Sequence, residues 1–157
     1  MLISGVKWML KGEFTHFIDE KGRAAIPAKI RSELGSTSVF LTKGIEKCIY
    51  GFSISEWNNA FNSIAKHSSV FNKEDRQIRR RFIAPAVEIE LDKNGRVLIP
   101  PSLREYAAIK KECVIVGMGE YFEIWDKELY LMELDDTEDK SIEALEKLGE
   151  RLSNNRE

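Results

Sequence analysis

Residues Asp19 to Arg31, DEKGRAAIPAKIR, return 73 positions later as Asp92 to Arg104, DKNGRVLIPPSLR. Six of the thirteen columns are identical: Asp19/Asp92, Gly22/Gly95, Arg23/Arg96, Ile26/Ile99, Pro27/Pro100 and Arg31/Arg104. Average composition would give about one. The same offset pairs Phe52 with Trp125, Ser53 with Asp126 and Trp57 with Tyr130. A duplicated unit of this size cannot be read as an arbitrary 157-residue fold. Both copies should adopt one local structure. The duplication predicts a first repeat over 13–72, a linking helix over 73–85, a second repeat over 86–134 and an acidic tail over 135–157.

Within one unit the signals are local. Val87, Ile89 and Leu91 alternate with Glu88 and Glu90, the period of a half-buried strand. Glu13 to Ile18 is its counterpart. Asn94-Gly95, and less ideally Lys21-Gly22, suit a tight turn because both positions tolerate positive φ. The pattern therefore predicts a hairpin, with return strands Arg23–Ile26 and Arg96–Ile99. Pro27 and Pro100 pre-set φ for a first helical turn. A short helix carrying Ile30 and Leu34 should follow, with Gly35 as its cap. Further strand pairs are expected at Val39–Thr42 with Cys48–Phe52, and at Cys113–Val116 with Tyr121–Trp125.

Each unit should close with a helix. Ser53-Ile54-Ser55-Glu56 fits a capping box ahead of Ile54, Trp57, Phe61 and Ile64. In the second copy Asp126 should cap a helix whose Leu129 and Met132 face inward. Lys73 to Ile83 reads as a linking helix with Ile78 and Phe82 on one face. Ile142, Leu145, Leu148 and Leu152 put a narrow apolar stripe on the tail, which predicts a helix docked on a neighbour or a frayed end.

Charge is unevenly shared. The net charge is −2, yet residues 120–157 hold thirteen Asp/Glu against five Lys/Arg, and residues 1–119 thirteen acids against nineteen bases. A basic body carries an acidic end, and local charge decides which surface attracts phosphate. The apolar share of 43% and charged share of 32% are those of a globular protein, with no run approaching a membrane span. The N-terminus, MLISGVKWMLKGEF, has no signal-peptide core, so a cytoplasmic location is expected. Cys48 and Cys113 sit in apolar runs and read as buried small hydrophobes rather than a disulfide or metal pair. His16 and His67 are isolated from other ligand types, and neither a phosphate-cradling glycine loop nor a nucleophile elbow is present. The sequence therefore predicts no enzyme, no metal, no cofactor, no small-molecule substrate and no membrane partner.

The doubled D-x-K/N-G-R-x-x-I-P-x-x-x-R motif, together with EIELDKNGRVLIP and FEIWDKELY, resembles the MraZ family of transcriptional regulators of the bacterial division and cell-wall gene cluster. The match runs from about Met9 to Tyr130, and MLISGVKW looks like an extension. The resemblance implies an α+β fold of the AbrB-like swapped-hairpin type, in which two hairpins interlock into one small barrel flanked by short helices. It implies ring-like homo-oligomers, association with the nucleoid, and binding to short direct repeats in double-stranded promoter DNA.

On that reading the DNA-binding candidates are Lys21, Gly22, Arg23, Lys29, Lys93 and Arg96. A guanidinium beside a tight turn can pair with phosphate or fork onto a guanine edge. The plainer role for Arg23 and Arg96 is to bridge Asp19 and Asp92 and pin the turn. Asp19 and Asp92 read as acceptors for turn amides. Lys29, Arg31 and Arg104 lie on the short helices, where solvated charge is the ordinary role. Arg76, Arg79, Arg80 and Arg81 form the densest basic cluster, suited to phosphate contact or to ion pairs with an acidic tail of another subunit. A DNA-free interaction scaffold is the rival to the regulator. Salt dependence of DNA binding separates the two.

Overall fold

A computed structural model describes residues 9–156, so the MLISGVKW extension lies outside the described residues. Two compact units divide the chain, one reaching to Lys127 and one starting at Glu128.

The first unit contains eight strands among its described residues: β1 (Glu13–Phe17), β2 (Arg23–Ala25), β3 (Ser38–Lys43), β4 (Ile49–Phe52), β5 (Val87–Glu90), β6 (Arg96–Leu98), β7 (Glu112–Gly117) and β8 (Phe122–Asp126). Helix α1 (Ala28–Leu34) follows β2, and α4 (Pro101–Tyr106) follows β6. Between the copies lie α2 (Ile54–His67) and α3 (Lys73–Ile78), which runs into a π-helical turn over Arg79–Ile83.

The expected hairpins form turns but not hairpin sheets. β1 does not pair with β2; it lies antiparallel to β7, with Phe14 opposite Ile115. β5 likewise pairs with β3 of the first copy, with Val39 opposite Ile89. The return strands pair with each other, Ala24 opposite Val97. The result is a six-stranded antiparallel sheet in the order β1-β7-β8-β4-β3-β5, and a separate two-stranded ribbon β2-β6. This corrects the expected barrel: the large sheet is open, with β1 and β5 as its edges. The reason is the way each copy's strands part. The strand before each tight turn joins the large sheet and the strand after it joins the ribbon, so no continuous ladder joins the two sheets.

The order of the large sheet reads the same from either end once β1 is matched with β5, β7 with β3, and β8 with β4. The centre is the β4–β8 pair, where Gly51 faces Phe122. The ring of Phe122 occupies the space in which a side chain on Gly51 would stand, so only glycine lets the two copies approach this closely. Around that junction the core gathers from both copies: Ala24, Ile26, Ile30, Val39, Leu41 and Ile49 from the first, and Val97, Ile99, Leu103, Ile115, Phe122 and Ile124 from the second. Neither copy buries these residues alone.

The short helices begin after Pro27 and Pro100 as expected, and Gly35 ends α1 in the left-handed conformation at φ 68°. The cap of α2 also forms, with the Ser53 hydroxyl accepting from the Glu56 amide at 3.1 Å. Of the predicted apolar face of α2, Trp57 is buried while Phe61 is 39% exposed. Trp57 stacks on Phe40 and on Phe82 at 5.1 and 5.3 Å between ring centroids.

The linking segment is helical from Lys73 to Ile83, and it changes from α to π within that span. α3 stops at Ile78, and the Ala84 amide donates to the Arg79 carbonyl five residues back. The buried Thr42 hydroxyl donates to the Phe82 carbonyl at 2.6 Å, an acceptor the wider turn turns towards the sheet. Phe82 packs against Trp57 and Phe52, while Ile78 is 47% exposed.

Cys48 and Cys113 are both buried and neither forms a disulfide, and burial raises the Cys113 thiol to about 11. No helix among the described residues is long and apolar enough to cross a membrane.

The second unit is helical: most of α5 (Lys127–Asp136), then α6 (Glu138–Asn154). In α5 it is Tyr130 that is buried, while Met132, expected inward, is 58% exposed. Its apolar residues wind around the helix rather than lining one side. α6 is a full helix with no buried residue, and its stripe of Ile142, Leu145, Leu148 and Leu152 is exposed.

Candidate nucleic-acid interface

The turn at Asp19–Arg23 is held by one carboxylate. Asp19 Oδ1 accepts from the amides of Lys21 at 3.0 Å and Arg23 at 2.8 Å, while Oδ2 accepts from Arg23 Nε at 2.7 Å. The Gly22 amide closes the turn onto the Asp19 carbonyl at 3.0 Å. Asp92 repeats every one of these bonds, to Asn94, to the Arg96 amide and to Arg96 Nε, each at 2.9 Å. Gly22 and Gly95 have φ of 86° and 74°, a region that strains other residues. The spacing D-x-x-G-R is thus a backbone device: the aspartate satisfies turn amides, the glycine supplies the left-handed step, and the arginine locks the carboxylate.

The two turns lie side by side because β2 and β6 pair. The Ile26 amide donates to the Gly95 carbonyl, and the Ile99 amide to the Gly22 carbonyl, both at 2.9 Å. Arg96 Nη1 comes within 3.6 Å of Asp19 Oδ2, so one acidic group faces arginines from both copies. Both aspartates are held below the usual carboxylate value. The largest cause is the backbone amide of Arg23 or Arg96 donating to the carboxylate; desolvation opposes it, and the arginine side chains add to it.

Of the sequence-predicted residues, the paired turns bring together Lys21, Gly22, Arg23 and Arg96. Lys21 is exposed, and Arg23 and Arg96 are half-buried. Lys93 is exposed in the second turn, and Lys29 is exposed on α1. The bridge between arginine and aspartate exists in both copies, so Arg23 and Arg96 stand at the turns as ion-paired, positioned groups.

Two arginines set aside in the sequence belong to this geometry. The guanidinium of Arg104, on α4, occupies the place where a Cβ on Gly22 would stand, with Cζ 2.7 Å from that point. Arg31, on α1, covers Gly95 in the same way, its Cζ also 2.7 Å away. Each repeat therefore lays an arginine across the other repeat's turn. The available signal was their identity as a column of the duplication, which helix position alone did not explain.

Three arginines of the Arg76–Arg81 cluster are engaged within the chain. Arg76 donates to the Val70 carbonyl and Arg79 to the Ser68 hydroxyl, both at 2.9 Å. Arg81 donates to the carbonyls of Gly44 and Ile45 and to the Tyr106 hydroxyl. Arg76 and Arg81 thereby supply donors to loop carbonyls, and Tyr106 shares the Gly44 carbonyl with Arg81.

Among the described residues, no group of three or more His, Cys, Asp or Glu side chains is placed to hold a metal ion. The chain matches the family model described as "MraZ protein, putative antitoxin-like" twice, over residues 9–81 and 82–152. It is 44% identical to the "Transcriptional regulator MraZ" of Treponema denticola, over 90% of this chain and 98% of that protein. It is 43% identical to the protein of that name from Thermoanaerobacter pseudethanolicus, over 90% and 98%, and 42% identical to that from Caldicellulosiruptor bescii, over 90% and 99%. With both halves of the duplication matched and near-complete coverage of each relative, the chain belongs to the MraZ family.

Proposed function

We propose that this chain is a sequence-specific DNA-binding transcriptional regulator that acts as a ring-like homo-oligomer on short direct repeats ahead of a division and cell-wall gene cluster. It works in the cytoplasm, associated with the nucleoid. The observation that carries the reading is the pair of adjacent turns, with Arg23 and Arg96 fixed on stiff bases only one carboxylate apart. Lys21, Gly22, Arg23 and Arg96 form the reading surface, and Lys29 and Lys93 extend it towards the phosphates. The names of the relatives support the regulatory role.

In this reading the units 13–72 and 86–134 build one interlocked swapped-hairpin body, with 73–85 linking them. The exchange of β1 and β5 between copies supports that description. The exposed apolar stripe of α6 supports self-association through the 135–157 tail. A single tip binds weakly, and several tips on one assembly raise the total by avidity.

The test is a binding titration with the DNA upstream of the chain's own gene against a scrambled duplex of equal length. The proposal expects tighter binding to the upstream duplex and a steep fall with salt, about 0.9 log units of affinity per log unit of salt for each phosphate contact. Equal affinity for both duplexes, or a flat salt response, overturns it in favour of a scaffold.

A further inference from the structure

The four turn-associated arginines are of two kinds. Arg23 and Arg96 spend their Nε on Asp19 and Asp92. Arg31 and Arg104 make no hydrogen bond or ion pair among the described residues, although each guanidinium is packed against turn backbone. Arg104 is half-buried, and Arg31 is exposed. A half-buried cation with no acceptor gains little from the fold that holds it. A charge fixed in place yet uncompensated is suited to an external anion. The arrangement occurs twice, from opposite copies, at the two turns that stand next to each other.

The surroundings of Arg104 carry both signs of charge. Arg104 lies between two shallow depressions, one shared with Lys21 and the other with Lys110 and Lys111. Acidic side chains line both depressions, Glu88 and Glu90 the first and Asp19, Glu20 and Glu105 the second. Asp19 is already engaged by Arg23 and Arg96, so it is not a dedicated partner for Arg104.

We propose that Arg104 over Gly22, and Arg31 over Gly95, are backbone-phosphate-binding groups, so that each tip meeting DNA is a composite of a turn from one repeat and a helix arginine from the other. The inference rests on the DNA-binding reading above and names a contact that reading left out. Arg23 and Arg96 then serve the turn and the base edges, while Arg31 and Arg104 anchor the strand. Neither repeat alone can supply a complete tip.

The test uses the full chain, the upstream duplex and a scrambled duplex of equal length, with fluorescence anisotropy across a salt series. Arg104→Met keeps the packing stem and removes the charge; Arg104→Lys keeps a charge. Arg104→Met is expected to weaken both duplexes by the same factor and to lower the salt slope by about 0.9 for each tip engaged, with Arg104→Lys retaining the slope. Arg31→Met provides the same reading at the second tip should Arg104→Met not fold. Unchanged affinity and slope in a folded Met variant overturns the proposal, as does a loss confined to the upstream duplex. Equal loss in Arg104→Lys and Arg104→Met also overturns it, because that pattern belongs to turn packing. Wild-type protein with no salt-dependent binding to either duplex overturns this proposal and the regulator together, whereas normal wild-type binding beside an unaffected Arg104→Met overturns this one alone.

Discussion

Arg96 of the second repeat reaches across to Asp19 of the first, Nη1 to Oδ2 at 3.6 Å, while Asp19 holds its own Arg23 at 2.7 Å. One carboxylate thereby couples two turns that are 73 residues apart in the chain. The adjacency follows from the β2–β6 pairing, and it gives both turns a common electrostatic fate.

Asp19 and Asp92 should titrate below an ordinary aspartate, which carboxyl chemical shifts followed against pH will report. Their folded values are depressed, so the stability they contribute is fully present above the unfolded value. It is lost as pH falls through the folded values, in the acid range below an ordinary aspartate. Arg23→Ala should raise the Asp19 value only in part, because the amide of residue 23, the largest cause, remains. A complete return to the ordinary value in that variant would contradict the assigned order of causes.

Arg23→Ala should weaken binding to the upstream duplex by about 1–3 kcal/mol per tip, the worth of a good bidentate contact. Arg96→Ala should have the smaller effect, since Asn94 stands where the first turn carries Lys21. Anisotropy titrations on both variants check the ranking. Equal or reversed losses count against an unequal division of labour between the tips.

Thr42→Val should destabilise the first unit by about 1–3 kcal/mol, because the buried Thr42 hydroxyl and its bond to the carbonyl of half-buried Phe82 are lost. Thr42→Ser keeps the hydroxyl and should retain most of that stability. Urea denaturation distinguishes them, and equal midpoints for the two variants would separate the π-helical turn from the Thr42 bond.

Gly51→Ala should lower stability by about 1–3 kcal/mol through overpacking against the Phe122 ring at the centre of the sheet. The denaturation midpoint should fall with little change in slope. An undisturbed midpoint would mean that the β4–β8 junction can open without cost.

Deleting 135–157 should redistribute the oligomer in light scattering while leaving the unfolding transition of the first unit in place. That segment carries eight acids and four bases, so its removal shifts net charge from −2 to +2. Non-specific DNA affinity at low salt should rise accordingly. An unchanged oligomer distribution would place self-association elsewhere.

The duplication, the turns, the short helices after proline and the four later strands were legible in the sequence because each depends on neighbours a few residues apart. Glycine at positive φ, proline at a helix start and alternating burial are local requirements, written where they act. The same holds for the turn-holding role of Asp19, whose hydrogen-bond donors Lys21 and Arg23 lie within four residues, whereas its contact with Arg96 does not. Strand partners were not legible in that way. Val87 to Glu90 alternates equally well whether it faces its own turn partner or β3 of the other copy, and only the joint burial of Ile26, Ile30, Val97, Ile99 and Phe122 selects the exchange. The positions of Arg31 and Arg104 follow from that exchange. On the helix alone each is a solvated cation, and each comes to rest over a turn glycine only because the other repeat brings the glycine there. The π-helical turn is likewise tertiary: a buried threonine on β3 rewards a wider helix forty residues later, and nothing within Lys73 to Ile83 encodes it. Local chemistry determined which elements exist and where they begin. Long-range packing between two copies decided which strands pair and which cations gather at the tips.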